Sequence, residues 1–165
     1  MDVGVLGGKV LFHVLTRFGY TDLAFSMITR PEYPSYGNWV AQGATSLWED
    51  FMEDPASMNH HFWGDISAWF IKAVAGIRLN PEGNDVNRVL IKPAFLQALD
   101  HASGYHEAPA GKIAAAWTRD GEAISLTLEI PSEVCGDVIL PEGYVFAEGG
   151  NTKPAASGAY RIVRG

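Results

Sequence analysis

Glu49 stands between Trp48 and Asp50, with Phe51 next, inside the run Gly43-Ala44-Thr45-Ser46-Leu47-Trp48-Glu49-Asp50-Phe51. A second polar run, Ser57-Met58-Asn59-His60-His61, follows shortly after. Rings beside a carboxylate suit a sugar: a ring face packs on the C–H face of a pyranose while the carboxylate meets hydroxyls or a water. Flanking rings also take water away from the carboxylate, which is the setting of a proton-transfer group. Cleavage of a glycosidic bond ordinarily uses two carboxyl groups, so Glu49 would be one half of such a site. The competing reading is a solvated helix face, since Glu53 lies one helical turn on and Asp54 beside it. Asp50, Glu53 and Asp54 read as surface carboxylates.

His60 and His61 are adjacent. Neighbours in sequence point about 100° apart on a helix and to opposite faces of a strand. They are therefore poor partners for one metal ion, which favours spacings such as i, i+4. One imidazole donating to a ligand hydroxyl is the functional reading; helix capping or packing is the structural one, with Asn59 the stronger cap. Ser46 and Ser57 lack the glycines of a nucleophile elbow. Gly7-Gly8-Lys9 lacks both the leading glycine spacing and the preceding strand of a phosphate loop. Neither a metal nor a cofactor is expected.

Two kinds of element must position these groups. Up to about residue 78 the pattern is helical. Val5, Leu6, Val10, Leu11, Val14, Leu15 and Phe18 form a 3.6-residue stripe that Gly19 ends. Thr21 and Asp22 would cap a second helix to about Thr29. Pro34 to Trp39 reads as a loop, Ser46 to Met52 as a short helix, and Phe62 to Ala75 as a longer one closed by Gly76. From about Leu79 the period becomes two. Asn87 to Lys92, Ile113 to Arg119, Glu122 to Ile130, Val134 to Leu140 and Ala159 to Val163 read as strands, with Asp120-Gly121 turning a hairpin. The expected architecture is α+β by segments, with an all-α region over residues 1–78 and an antiparallel β-sandwich over residues 79–165.

Composition narrows the partners. The 165 residues are 47% hydrophobic, ample for a core, and carry a formal charge of −7. No basic cluster marks a nucleic-acid or acidic-membrane partner. No apolar run approaches the roughly 18 to 20 residues of a membrane helix. Met1-Asp2-Val3-Gly4 has no basic n-region of a signal peptide, and the compartment stays open between bacterial cytoplasm and periplasm. Cys135 is the single cysteine, which excludes an intrachain disulfide, and its apolar context reads as a buried, inert thiol. Asn84 has no Ser or Thr two residues on and is not a sequon.

The ordered set Tyr33-Pro34-Ser35-Tyr36-Gly37, Gly43-Ala44-Thr45-Ser46-Leu47-Trp48-Glu49, Ser57-Met58-Asn59-His60-His61, Gly64, Trp69-Phe70 and Ala75-Gly76-Ile77 resembles the bacterial α-L-rhamnosidases of glycoside hydrolase family 78. Ile91-Lys92-Pro93, Gly111-Lys112-Ile113, Trp117 and Ile139-Leu140-Pro141 are similar to that family's C-terminal sandwich. The resemblance covers nearly the whole chain. It implies the late helices of an (α/α)6 toroid followed by a β-sandwich, and a hydrolase that inverts anomeric configuration. It places the general base on Glu49, a rhamnose contact on His60, and aromatic lining on Trp48 and Trp39. It assigns no role to His61. The partner implied is a rhamnose-containing oligosaccharide or glycoside.

The family's general acid lies in an acidic, arginine-containing segment early in the barrel, which nothing here matches; Asp2 and Asp22 do not substitute for it. The chain is therefore expected to begin inside a larger protein, to lack the N-terminal part of the barrel, and not to hydrolyse rhamnosides efficiently alone. Helices without their neighbours should expose apolar surface of several hundred Å², and a homodimer through the helical face follows. Two other readings stand beside this one. A carbohydrate-binding or interaction module would work through the sandwich, with Trp117 and Tyr105 as the aromatic pair unless Trp117 is core. The same toroid also serves other sugars.

Overall fold

The computed structural model describes residues 3–52, 54–79 and 85–165. Asp2, Glu53 and Asn84, weighed above, lie outside them. The chain divides into two compact units, Met1–Trp69 and Phe70–Gly165.

In the first unit, α1 (Gly4–Arg17) and α2 (Thr21–Thr29) form where the stripe and its stop signal place them. Gly19 adopts φ 85°, which a side chain would resist, and the Tyr20 N–H donates to Leu15 O at 2.8 Å while the Gly19 N–H donates to Thr16 O at 3.2 Å. This pair of bonds satisfies carbonyls that the helix end would otherwise leave open. The face that α1 buries is that of Gly8 and Phe12. Much of the apolar stripe stays in solvent: Leu6 is 77% exposed and Phe18 70%, with Val10 and Val14 exposed between them. α2 starts without a side-chain cap; Asp22 stands in its first turn instead.

Four expectations for this unit are corrected. Pro34 to Trp39 is not all loop: α3 (Tyr36–Ala41) forms there because Ser35, fully buried, accepts from the Asn38 N–H at 2.9 Å as an N-cap. Residues 46–52 are not helical. Their backbone groups bond to the segment 57–60 instead, and seven residues hold a helix poorly without tertiary support. Further on, the expected long helix is broken into a 3₁₀ turn (His61–Trp63) and α4 (Asp65–Trp69). His60, with no side-chain cap bond, takes the cap position given to Asn59.

The second unit opens with a π-helical turn (Phe70–Ala75), and Gly76 ends it at φ 86°. A Cβ on Gly76 would lie 2.3 Å from the Pro93 backbone nitrogen, so glycine is required twice over. Nine strands follow among the described residues: β1 (Ile77–Leu79), β2 (Arg88–Ile91), β3 (His101–Ala108), β4 (Gly111–Asp120), β5 (Ala123–Glu129), β6 (Cys135–Ile139), β7 (Tyr144–Phe146), β8 (Thr152–Pro154) and β9 (Gly158–Arg164). They form a four-stranded sheet, β1-β2-β6-β8, and a five-stranded sheet, β3-β4-β5-β9-β7. Neighbours are antiparallel except β2 and β6, which run parallel.

The alternation in β5 sends Ile124, Leu126 and Leu128 inward, with Ser125, Thr127 and Glu129 in solvent. Trp117 is 1% exposed, and its indole donates to Val74 O at 2.8 Å. Phe95 meets it edge-on at 5.6 Å between ring centres. Arg119 braces the loop before β3 by donating from Nη2 to Phe95 O and Leu96 O at 3.0 and 3.1 Å. Cys135 is exposed, which corrects the buried thiol expected of it, because it starts β6 with its side chain directed away from the core.

Candidate active site in the helical unit

Glu49 lies in the irregular segment after α3, and His60 just before the 3₁₀ turn. The two segments are tied by main-chain bonds. The Glu49 N–H donates to Ser57 O at 2.9 Å and the His60 N–H donates to Leu47 O at 2.8 Å. The Ser46 hydroxyl adds a third tie by donating to Met58 O. The two runs singled out for their chemistry therefore meet, each using the other to satisfy backbone groups that no helix serves. Glu49 and His60 are both half-buried.

Beneath them lies a cluster of rings. Trp39 stacks on Phe51 at 4.3 Å between ring centres, Trp48 packs against Trp39 at 6.0 Å, and Trp63 meets Phe51 at 4.9 Å. Tyr36 closes the cluster, edge-on to both Trp39 and Phe51. All five rings are buried, Trp48 and Trp39 included. A buried indole N–H must find an acceptor. The Trp63 Nε1–H donates to the main-chain carbonyl of Glu49 at 2.8 Å, and the Trp39 Nε1–H to that of Asp50 at 3.1 Å. The Tyr36 hydroxyl in turn donates to Trp63 O at 3.1 Å.

Burial, and then the Asp65 carboxylate, push the Tyr36 phenol well above its ordinary range, so it remains a hydrogen-bond donor. Asp65 Oδ2 also lies 2.7 Å from His13 Nε2 on α1. The Asp50 carboxylate accepts from the Met52 N–H at 2.8 Å and so caps its own loop. His61 is exposed, its ring parallel to that of His60 at 6.0 Å between centres.

Sequence reasoning passed over Trp63 and Tyr36. The signal that would have found them is the demand of a buried indole or phenol for a polar partner, a demand without a fixed spacing. In the sheet unit, Trp117 belongs to the core while Tyr105 is 60% exposed, so the two do not form an aromatic pair on one surface.

Residues 1–74 match the family described as bacterial alpha-L-rhamnosidase 6 hairpin glycosidase domain, and residues 76–153 match the bacterial alpha-L-rhamnosidase C-terminal domain. The chain belongs to the bacterial α-L-rhamnosidases. An α-L-rhamnosidase of Alteromonas sp. (strain LOR) is 27% identical over 163 residues, which are 93% of this chain and 18% of that protein. The chain thus spans about a sixth of the length of the curated rhamnosidases it matches.

Among solved structures, native α-L-rhamnosidase from Aspergillus terreus superposes with a TM-score of 0.83 at 26% identity, over 98% of this chain and 19% of that one. The Streptomyces avermitilis α-L-rhamnosidase, solved in complex with L-rhamnose, superposes with a TM-score of 0.81 at 23% identity, over 96% of this chain and 17% of that one. A helical piece followed by a β-sandwich is the fold this chain shares with rhamnosidases.

Proposed function

We propose that the helical unit carries the general-base half of a site that hydrolyses terminal α-L-rhamnosides with inversion. Glu49 removes a proton from a water below the anomeric carbon. His60 donates to a hydroxyl of the bound rhamnose. Trp48 and Trp39, both buried, back the site from within and do not present an open ring face to the sugar. A second carboxyl group, from outside this chain, protonates the leaving oxygen from the opposite face. Inversion needs the two carboxyl groups roughly 6.5 to 9.5 Å apart, with the water between them. General-base assistance of this kind contributes on the order of 10² to 10⁴ in rate.

What supports this reading is the main-chain pairing of Leu47 and Glu49 with the segment Ser57 to His60, which ties together the two stretches that bear Glu49 and His60. The ring cluster bonds to the main chain of the same stretch through the Trp39 and Trp63 indoles. Calorimetric titration of the chain with L-rhamnose tests it. Binding that weakens about tenfold or more in Glu49→Gln and in His60→Ala, but survives Tyr105→Ala, supports the helical site; binding that is lost only in Tyr105→Ala sinks it.

The same reading holds that this chain alone turns over aryl α-L-rhamnosides far more slowly than a whole enzyme, for want of the acid. Turnover equal to that of a full-length rhamnosidase would overturn that statement. It also holds that the exposed row Leu6, Val10, Val14 and Phe18 pairs two copies of the chain. Light scattering should show a dimer that Val10→Asp dissociates; a monomer throughout would reject the pairing.

A further inference from the structure

We infer that Trp63 is a positioning residue for Glu49, acting through its indole N–H on the main-chain carbonyl of that residue. This rests on the reading of Glu49 as the general base. Glu49 sits in a segment with no helix or sheet to hold it, yet a base must keep its carboxylate within a fraction of an ångström of its water. The structure shows how the backbone is held instead. The peptide unit before Glu49 is fixed by its N–H on Ser57 O at 2.9 Å. The unit after it is fixed by its carbonyl, which accepts the Trp63 indole at 2.8 Å. The next unit is fixed by the Trp39 indole on Asp50 O at 3.1 Å. Three consecutive peptide planes are pinned, two of them by buried indoles.

Trp63 is itself held from three sides. Its own carbonyl accepts from the buried Tyr36 hydroxyl at 3.1 Å. Its ring packs on Phe51. On the third side α1 presents Gly8, where a Cβ would lie 2.2 Å from the ring's Cζ3, so the helix backbone lies close over the indole. Any buried indole needs an acceptor for its N–H, and the acceptor this one takes is a carbonyl of the site segment. The polar end of this one is spent on the residue that carries the carboxylate. The clamp leaves the Glu49 side chain half-exposed and fixes only the base from which it reaches.

The test separates the N–H from the ring. Incorporation of 3-benzothienylalanine at position 63 keeps the ring's shape and replaces the N–H with sulfur. The same replacement at Trp69, whose indole donates to Phe12 O and Thr16 Oγ1 away from Glu49, controls for general loosening. Steady-state kinetics on 4-nitrophenyl α-L-rhamnopyranoside, in the full-length glycosidase, should show kcat lowered about tenfold or more at position 63, with KM changed less than about twofold. The position 69 protein should keep its kcat.

An unchanged kcat at position 63, an equal loss at position 69, or a loss carried by KM would each overturn the positioning role. Glu49→Gln is run beside them. If it abolishes turnover while position 63 is silent, only the inference about Trp63 falls. If it keeps full turnover, the base assignment falls first and the positioning role with it.

Discussion

The helical unit and the sheet unit both bury tryptophan, and they use it differently. In the sheet unit Trp117 is one inward residue of β4, between Ala115 and Arg119 on the same strand, and its indole meets Val74 O, the carbonyl of a π-helical turn. The ladders with β3 and β5 fix the register on either side of it. In the helical unit the indoles of Trp39 and Trp63 bond to the carbonyls of Asp50 and Glu49, in a stretch that has no ladder. There the side chains supply the order that secondary structure supplies elsewhere. A fold can hold an irregular, chemically useful segment in place, but it must commit large buried rings to do so.

Substitutions can break or sharpen this contrast. The largest effect should come from Trp117→Ala, which empties the centre of the sandwich and should cost about 3–5 kcal/mol in urea denaturation followed by circular dichroism. A loss under about 1 kcal/mol would mean that the sandwich core does not depend on this ring. Next is Gly8→Ala, which drives a Cβ into Trp63. Overpacking there should cost about 1–3 kcal/mol, read as a lower urea midpoint of tryptophan fluorescence. A neutral result would show that the clamp on Trp63 has room to yield.

Ser35→Ala should cost about 1–2 kcal/mol by the same assay. It removes the cap of α3, and with it the hydroxyl that donates to Arg30 O and Glu32 O. Least of all should be Lys112→Ala. Its partner Glu129 is 3.2 Å away on the solvent face of the five-stranded sheet, and exposed pairs contribute about 0–1 kcal/mol. A larger loss would show that sheet-surface charge matters more than the ladder suggests.

The same contrast explains what could be read from the chain beforehand. Ile124, Leu126 and Leu128 announce their strand because a sheet repeats every two residues, and Gly121, at φ 62°, marks the turn of its hairpin. The strands β1, β7 and β8 have three residues each, too few to show a period. α1 and α2 were legible for the same reason as β5, though not which face of α1 would be buried. Gly8 and Phe12 win because a glycine lets the helix approach Trp63 more closely than a stripe of valines would.

At the site, Glu49 and His60 could be picked out by residue type. Their meeting could not, since it depends on backbone bonds between two aperiodic segments. Tyr36 and Trp63 act across 27 and 14 positions, and no local pattern encodes such a reach.

The placing of the tryptophans has a practical consequence. Trp39, Trp48, Trp63 and Trp69 fall in the helical unit and Trp117 alone in the sheet unit, out of five in the chain. Intrinsic emission is therefore chiefly a report on the helical unit. The exposed thiol of Cys135, on β6, accepts a dye that reports on the sheet unit alone. One labelled sample heated once in a two-channel fluorimeter would show whether the halves melt together or in turn.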